Sequence, residues 1–187
     1  MRPVEPPADE QLLERARAGE DRAFGILVDR YEGIVAATVI GMLGAGDDAE
    51  DVGQETFIRF QRSLDRFRGE SSVATYLTRI AINLSLTALK RRRRWTERFK
   101  APVRLGEGVF DSADPERDRE RLSRTEWVWA AIDTLAPQHR AVVVLRMIDG
   151  YSTRETAEIL NVPQGTVMSR LARAMGRLES QLKETDQ

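Results

Sequence analysis

The chain has no cysteine, which excludes disulfides, thiolate nucleophiles and cysteine-based metal sites. It has one histidine, His139, just inside a predicted helix start and without a partner at triad or metal spacing. A partly exposed structural histidine is the expectation there. No glycine-rich phosphate loop is present: Gly41, Gly44 and Gly46 lack the Lys and Ser/Thr that such a loop needs. Paired carboxylates such as Asp47 and Asp48 read as helix-start chemistry. No stretch is apolar enough to span a membrane, and the acidic, proline-containing start is unlike a signal peptide. These absences lead to the expectation of a cytoplasmic protein that is not an enzyme and needs no cofactor or metal. With 29 basic and 30 acidic side chains, net charge carries no sign of a nucleic-acid partner. Charge distribution does.

The stretch YSTRETAEILNVPQGTVMSRLARAMGR, residues 151–177, reads as two helices joined by a tight turn. Ser152 followed by Glu155 is a capping box, in which the hydroxyl and the carboxylate each satisfy an orphan backbone N–H. Thr156, Ile159 and Leu160 form one buried stripe, and small Ala157 allows close helix approach. Asn161 tolerates a left-handed turn, and Pro163 ends one helix and opens the next. Val167, Leu171, Ala174 and Leu178 recur at helical spacing and should face inward. The opposite face carries Gln164, Ser169, Arg170, Arg173 and Arg177, and from Gln164 to Arg177 there is no acid. Small polar and arginine side chains on one face suit a DNA major groove. An ordinary helical hairpin with a solvated basic face is the alternative.

Residues 1–8 read as a disordered tail. Asp9 is expected to cap a helix through Ala18, stopped by Gly19. A second helix runs from Asp21 to about Met42, its buried face marked by Phe24, Leu27, Val28, Tyr31, Val35, Val39 and Met42, with Gly41, Gly44 and Gly46 breaking the chain after it. Asp47 with Glu50 gives a second capping-box signal. The helix it opens buries Ala49, Val52, Thr56, Phe57, Phe60 and Leu64 and shows Asp48, Asp51, Gln54, Glu55 and Arg59 on its other face. Gly53 inside it costs about 1 kcal/mol relative to Ala, for which a close neighbouring helix or a bound partner is one reason, while on the sequence alone the charged face reads first as solvated surface. The loop Arg66–Ser72 carries Arg66, Arg68 and an exposed-looking Phe67. Ser71 or Ser72 then caps a helix to about Arg94, with Val73, Leu77, Ile80, Leu84 and Ala88 inward. That helix ends in Lys90, Arg91, Arg92, Arg93 and Arg94 followed by Trp95. Such a run is either a solvated tail or a track for a nucleic-acid backbone.

Residues 96–118 lack helical periodicity, are acidic in their second half, and read as a flexible interdomain linker. A further helix is expected over 119–135, burying Leu122, Trp127, Val128, Ala131 and Ile132. Ala136–Pro137 opens another, with a stripe of Val142, Val143, Leu145, Arg146 and Met147, closed by Gly150. The predicted fold is all-α: two small helical domains of about four helices each, over 9–95 and 119–187, the second ending in a helix-turn-helix.

With both halves placed, the chain resembles the small extracytoplasmic-function (ECF) group of the sigma-70 family of bacterial sigma factors. The resemblance covers about Asp9 to Leu182. Its anchors are DAEDVGQETFIRFQRSLDRFRGESSVATYLTRIAINL, in the family's second conserved region, and LAPQHRAVVVLRMIDGYSTRETAEILNVPQGTVMSRLARAMGRL, in its fourth. The resemblance implies a protein that binds core RNA polymerase, recognises two promoter elements, helps open the duplex and is restrained by an anti-sigma factor, with no membrane insertion of its own. It assigns Asp51, Gln54, Glu55 and Phe57 to the polymerase contact. It assigns Arg66, Phe67, Arg68, Tyr76, Asn83 and Lys90–Arg94 to melted promoter DNA. Gln164, Thr166, Met168, Ser169, Arg170 and Arg173 fall to duplex promoter DNA. The chain departs from the family's habit at Tyr76, often Trp, at Thr87, often Asp or Asn, and at Met168 and Ala172, where larger or charged residues are common. A helix-turn-helix regulator acting on operator DNA without polymerase is the alternative reading, and it leaves the first anchor and the basic run without a role.

Overall fold

The structure, a computed structural model, describes residues 7–99 and 124–185, and the described residues are helical with no strand among them. In chain order they form α1 (Asp9–Arg17), α2 (Asp21–Leu43), α3 (Asp47–Ser63), a 3-10 turn (Leu64–Arg66), α4 (Val73–Phe99), α5 (Arg124–Asp133), α6 (Pro137–Val143), a π-turn (Val144–Ile148), α7 (Thr153–Leu160) and α8 (Gln164–Thr185). The predicted linker falls largely outside the described residues. Its first four residues, 96–99, continue α4.

The N-terminal half packs α1, α3 and α4 around α2. Leu12, Leu27, Val35, Val39, Met42, Phe60, Leu77 and Ile82 are its fully buried large side chains. Two expected caps are absent. Ala8 is the N-cap of α1 and Gly46 that of α3, and neither makes a side-chain cap hydrogen bond. Asp9 instead accepts hydrogen bonds from the Tyr31 hydroxyl and the Arg30 guanidinium, a tertiary tie between α1 and α2. Burial, and then the Asp9 carboxylate, push the Tyr31 phenol well above its ordinary range. At α4 the cap is as expected: the Ser72 hydroxyl accepts from Thr75 N–H at 3.1 Å.

Gly41 does not break the chain. It lies inside α2, where an added Cβ would come within 3.0 Å of both Val144 methyls. That approach belongs to a contact between the halves. Ala141, Val144, Leu145 and Ile159 share one continuous core with the N-terminal helices. Three polar contacts accompany it. Arg140 Nη1 donates to the Met42 carbonyl at 2.8 Å, Thr38 Oγ1 lies 2.8 Å from Asp149 Oδ2, and the Thr78 and Tyr151 hydroxyls are 2.8 Å apart.

The π-turn explains a misplaced stripe. Asp149 N–H reaches back five residues to the Val144 carbonyl, so one extra residue enters the turn and the buried face rotates. Val144 is buried, whereas Met147, expected inside, is 60% exposed. Val128 is likewise exposed, because α5 packs on α8 through Ile132 and Trp129 instead. On α4, Thr78, Ala81, Ile82 and Ser85 are buried while Ile80 and Leu84 are only half-buried, since α4 has neighbours in both halves.

Candidate functional site

The helix-turn-helix forms as its sequence dictates. Ser152 Oγ accepts from Glu155 N–H at 3.2 Å, and Glu155 Oε2 accepts from Ser152 N–H at 2.8 Å. The Ser152 hydrogen bonds hold the Glu155 carboxyl below its ordinary range. Asn161 adopts φ 51°, ψ 53°, the left-handed conformation the turn requires. Val167 and Ala174 are fully buried, with Leu171 and Leu178 packed beside them. These anchors turn the other face of α8 outward: Gln164, Ser169 and Arg173 are exposed, Met168 is 65% exposed, and Thr166 and Arg170 are half-buried. Ser169 spends its proton on the Thr166 carbonyl at 3.1 Å, leaving an acceptor outward. Among the described residues no acid pairs with Arg170 or Arg173. His139 is half-buried, as expected.

The second surface lies along α4 and the turn before it. Arg66 and Arg68 are exposed. Phe67 is not: it is 6% exposed, edge-on to Tyr76 with centroids 5.0 Å apart and to Phe60 at 6.2 Å. Its exposed look in the sequence came from flanking arginines. The sequence reading also missed Arg17, which fixes this turn from α1: its Nε donates to the Leu64 carbonyl at 2.9 Å and its Nη2 to the Phe67 carbonyl. Tyr76 is half-buried, and Asn83 and Thr87 are exposed, one turn apart. Of the basic run, Lys90, Arg91, Arg93 and Arg94 are exposed and Arg92 half-buried. Arg92 Nε reaches Asp48 Oδ2 at 2.8 Å and Arg91 lies 3.7 Å from Oδ1, so part of the run is tied to the start of α3.

The third surface is on α3. Asp51 and Gln54 are exposed and Glu55 and Phe57 half-buried, with Glu55 paired to Arg59 at 2.8 Å. Gln54 and Phe57 line a groove of about 370 Å³ between α2 and α3, together with Ile40, Ala49 and Gly53. A Cβ at Gly53 would meet nothing within 4 Å, so among the described residues no neighbouring helix demands that glycine. Among the described residues no cluster of side chains could hold a metal ion.

Comparison with known proteins matches the two halves separately. Residues 27–95 match the Sigma-70 region 2 family model and residues 125–178 the Sigma-70, region 4 model. The chain is 34% identical to the ECF RNA polymerase sigma-E factor of Haemophilus influenzae, over 94% of this chain and 95% of that one. It is also 34% identical to that of Escherichia coli K12, over 94% of each chain. Among solved structures it is similar to CnrH in complex with the cytosolic domain of CnrY, with a TM-score of 0.66 and 28% identity over 95% of this chain and 99% of that one. The same fold recurs in RpoE bound to the anti-sigma factor NepR from Bartonella quintana, with a TM-score of 0.70 and 22% identity over 86% and 96% of the two chains. A helix-turn-helix regulator independent of polymerase would leave the match over residues 27–95 unexplained. The chain belongs to the sigma-70 family, as a sigma factor of its ECF group.

Proposed function

We propose that this sigma factor joins core RNA polymerase, holds one promoter element as melted single strand and reads a second as duplex. The observation that carries this reading is the coexistence of two DNA-suited surfaces in one chain: an outward face on α8 that carries no acid over residues 164–177, and a cation-rich end on α4. Gln164, Thr166, Met168, Ser169, Arg170 and Arg173 face the duplex. Arg173 and Ser169 suit base edges, and Met168 suits a thymine methyl. Arg66, Arg68, Tyr76, Asn83 and Lys90–Arg94 border the melted strand, where an unstacked base is cheap to read. Phe67 acts from beneath, by seating Tyr76. Asp51, Gln54, Glu55 and Phe57 meet polymerase on the α2–α3 side.

The reading divides the chain into two functional units, residues 9–95 and 119–187, with an acidic connection between them. The chain carries out no reaction of its own, needs no cofactor and works in the cytoplasm. No described helix is long and apolar enough to cross a membrane. An anti-sigma factor is the expected third partner, beside core polymerase and promoter DNA.

The experiment is capture of core polymerase by the tagged full chain, followed by run-off transcription of a genomic fragment library. Discrete start sites that depend on the chain are expected. Operator binding without polymerase capture would overturn the assignment.

A further inference from the structure

The contact between the halves contains a carboxylate in a setting that does not suit its charge. Asp149 sits where the π-turn ends and presses against α2, with Thr38 Oγ1 2.8 Å from its Oδ2. Among the described residues no cation pairs with it. Asp149 is half-buried and borders an open pocket of about 440 Å³, where its α2 neighbours are Gly33, Ile34 and Ala37 beside Thr38, none of them titratable. On its own side, Arg146 is engaged through Nη1 by the Tyr151 carbonyl, and the Tyr151 hydroxyl bonds Thr78 of α4. The Glu155 carboxylate accepts from Ser152 N–H.

The hydrogen-bond count at Thr38 depends on the charge of Asp149. Thr38 Oγ1 lies 2.8 Å from Asp149 Oδ2 and 3.0 Å from the Ile34 carbonyl, and both are acceptors when Asp149 is ionised. One hydroxyl has one proton, so it can serve only one of the two, while the Ile34 carbonyl, inside α2, keeps the Thr38 backbone N–H in either case. A protonated Asp149 donates to Thr38 Oγ1 and frees the Thr38 proton for the Ile34 carbonyl, satisfying both contacts together. We propose that Asp149 is a proton-operated catch between the two halves: protonated it holds the C-terminal half onto α2, and ionised it loosens that contact.

Burial points the same way, lifting the Asp149 carboxyl from 3.8 to about 6, although the Thr38 hydroxyl acts to lower it. An acid with a raised value in the closed form takes up a proton on closing. Its contribution to closure is therefore full below about 4 and is lost as pH rises through about 6. If opening restores the ordinary value, the closing constant rises about tenfold from pH ~7.5 to pH ~5.

The absence of cysteine permits a clean test. Cysteines replacing exposed Gln61 and Met175 carry a dye pair across the two halves. Gly41→Leu, which crowds Val144, shifts the balance toward open so that changes in either direction register. In this background the closing constant should rise about tenfold between pH ~7.5 and ~5, whereas Asp149→Asn, whose amide donates to Thr38 at every pH, should give a flat response. An unchanged pH response in Asp149→Asn overturns the proposal. The carboxyl-carbon NMR titration of Asp149 in the unaltered chain decides independently: a midpoint near 6 supports the catch, and one in the ordinary carboxylate range refutes it.

Discussion

Replacing Arg140 by Met should weaken the contact between the halves by about 2 kcal/mol. Arg140 is 4% exposed. Its Nη1 donates to the Met42 carbonyl at 2.8 Å and lies 2.7 Å from Asp133 Oδ1, and its Nη2 donates to the Asp133 carbonyl. Met42 is in the last turn of α2, which ends at Leu43, so its carbonyl has no intrahelical partner and depends on this guanidinium. Methionine fills the space of the stem and supplies no donor. Leaving a buried acceptor unpaired costs about 1–3 kcal/mol. The Asp133 carboxylate, 31% exposed, recovers water and adds less. Two effects oppose the loss: Arg140 Nε is buried without a partner, and burial pulls the guanidinium below its ordinary value against the support of Asp133. The balance is a loss of about 2 kcal/mol, since removing one partner of a buried set usually outweighs the desolvation recovered. Urea unfolding of the full chain, followed by helical circular dichroism, measures it. Arg140→Lys keeps the charge but not the fork and should lose about half as much. A loss below about 0.5 kcal/mol for Arg140→Met would mean that water serves the Met42 carbonyl and that Arg140 does not bridge the halves.

Asp51→Arg with Glu55→Arg should weaken binding to core polymerase at native helical content. Unchanged affinity in a capture assay would remove the α3 face as the dock. Replacing Lys90–Arg94 by Gln should lower open-complex formation and flatten its salt dependence. Five single-strand phosphate contacts would contribute about 3.5 to the log–log slope, and competition from Asp48 should make the observed change smaller. An unchanged slope means the run is solvated surface. Arg173→Ala should reduce transcription through the duplex element, with about 1–3 kcal/mol of base discrimination lost at one position and polymerase binding intact. A promoter library transcribed without change in activity or preference would refute the docking of α8.

The C-terminal motif was legible because its determinants are local. Ser152 and Glu155 are one turn apart, Asn161 carries its own tolerance of positive φ, and Val167 and Ala174 recur at the helical period, so each expectation needed only a few neighbouring residues. Family resemblance extended that reading to both halves, as the matches over 27–95 and 125–178 bear out. The failures share a cause. Asp9 looks like a cap until Tyr31 and Arg30 claim its carboxylate. Phe67 looks exposed until Arg17 folds its turn onto Phe60 and Tyr76. Met147 keeps helical spacing with Val143, but the π-turn inserts a residue and turns Val144 inward instead.

By itself the sequence determined the helical class, the position of most helices, the turn between α7 and α8 and which side of α8 faces outward, since backbone hydrogen bonding and a 3.6-residue period act within a few residues. Only the tertiary structure decided how the halves meet. The pairs Arg140 with Met42, Asp149 with Thr38, Tyr151 with Thr78 and Val144 with Gly41 join residues far apart in the chain. Whether a polar side chain is buried there, and what it costs, depends on the partner that folding brings to it, and no local pattern encodes that partner.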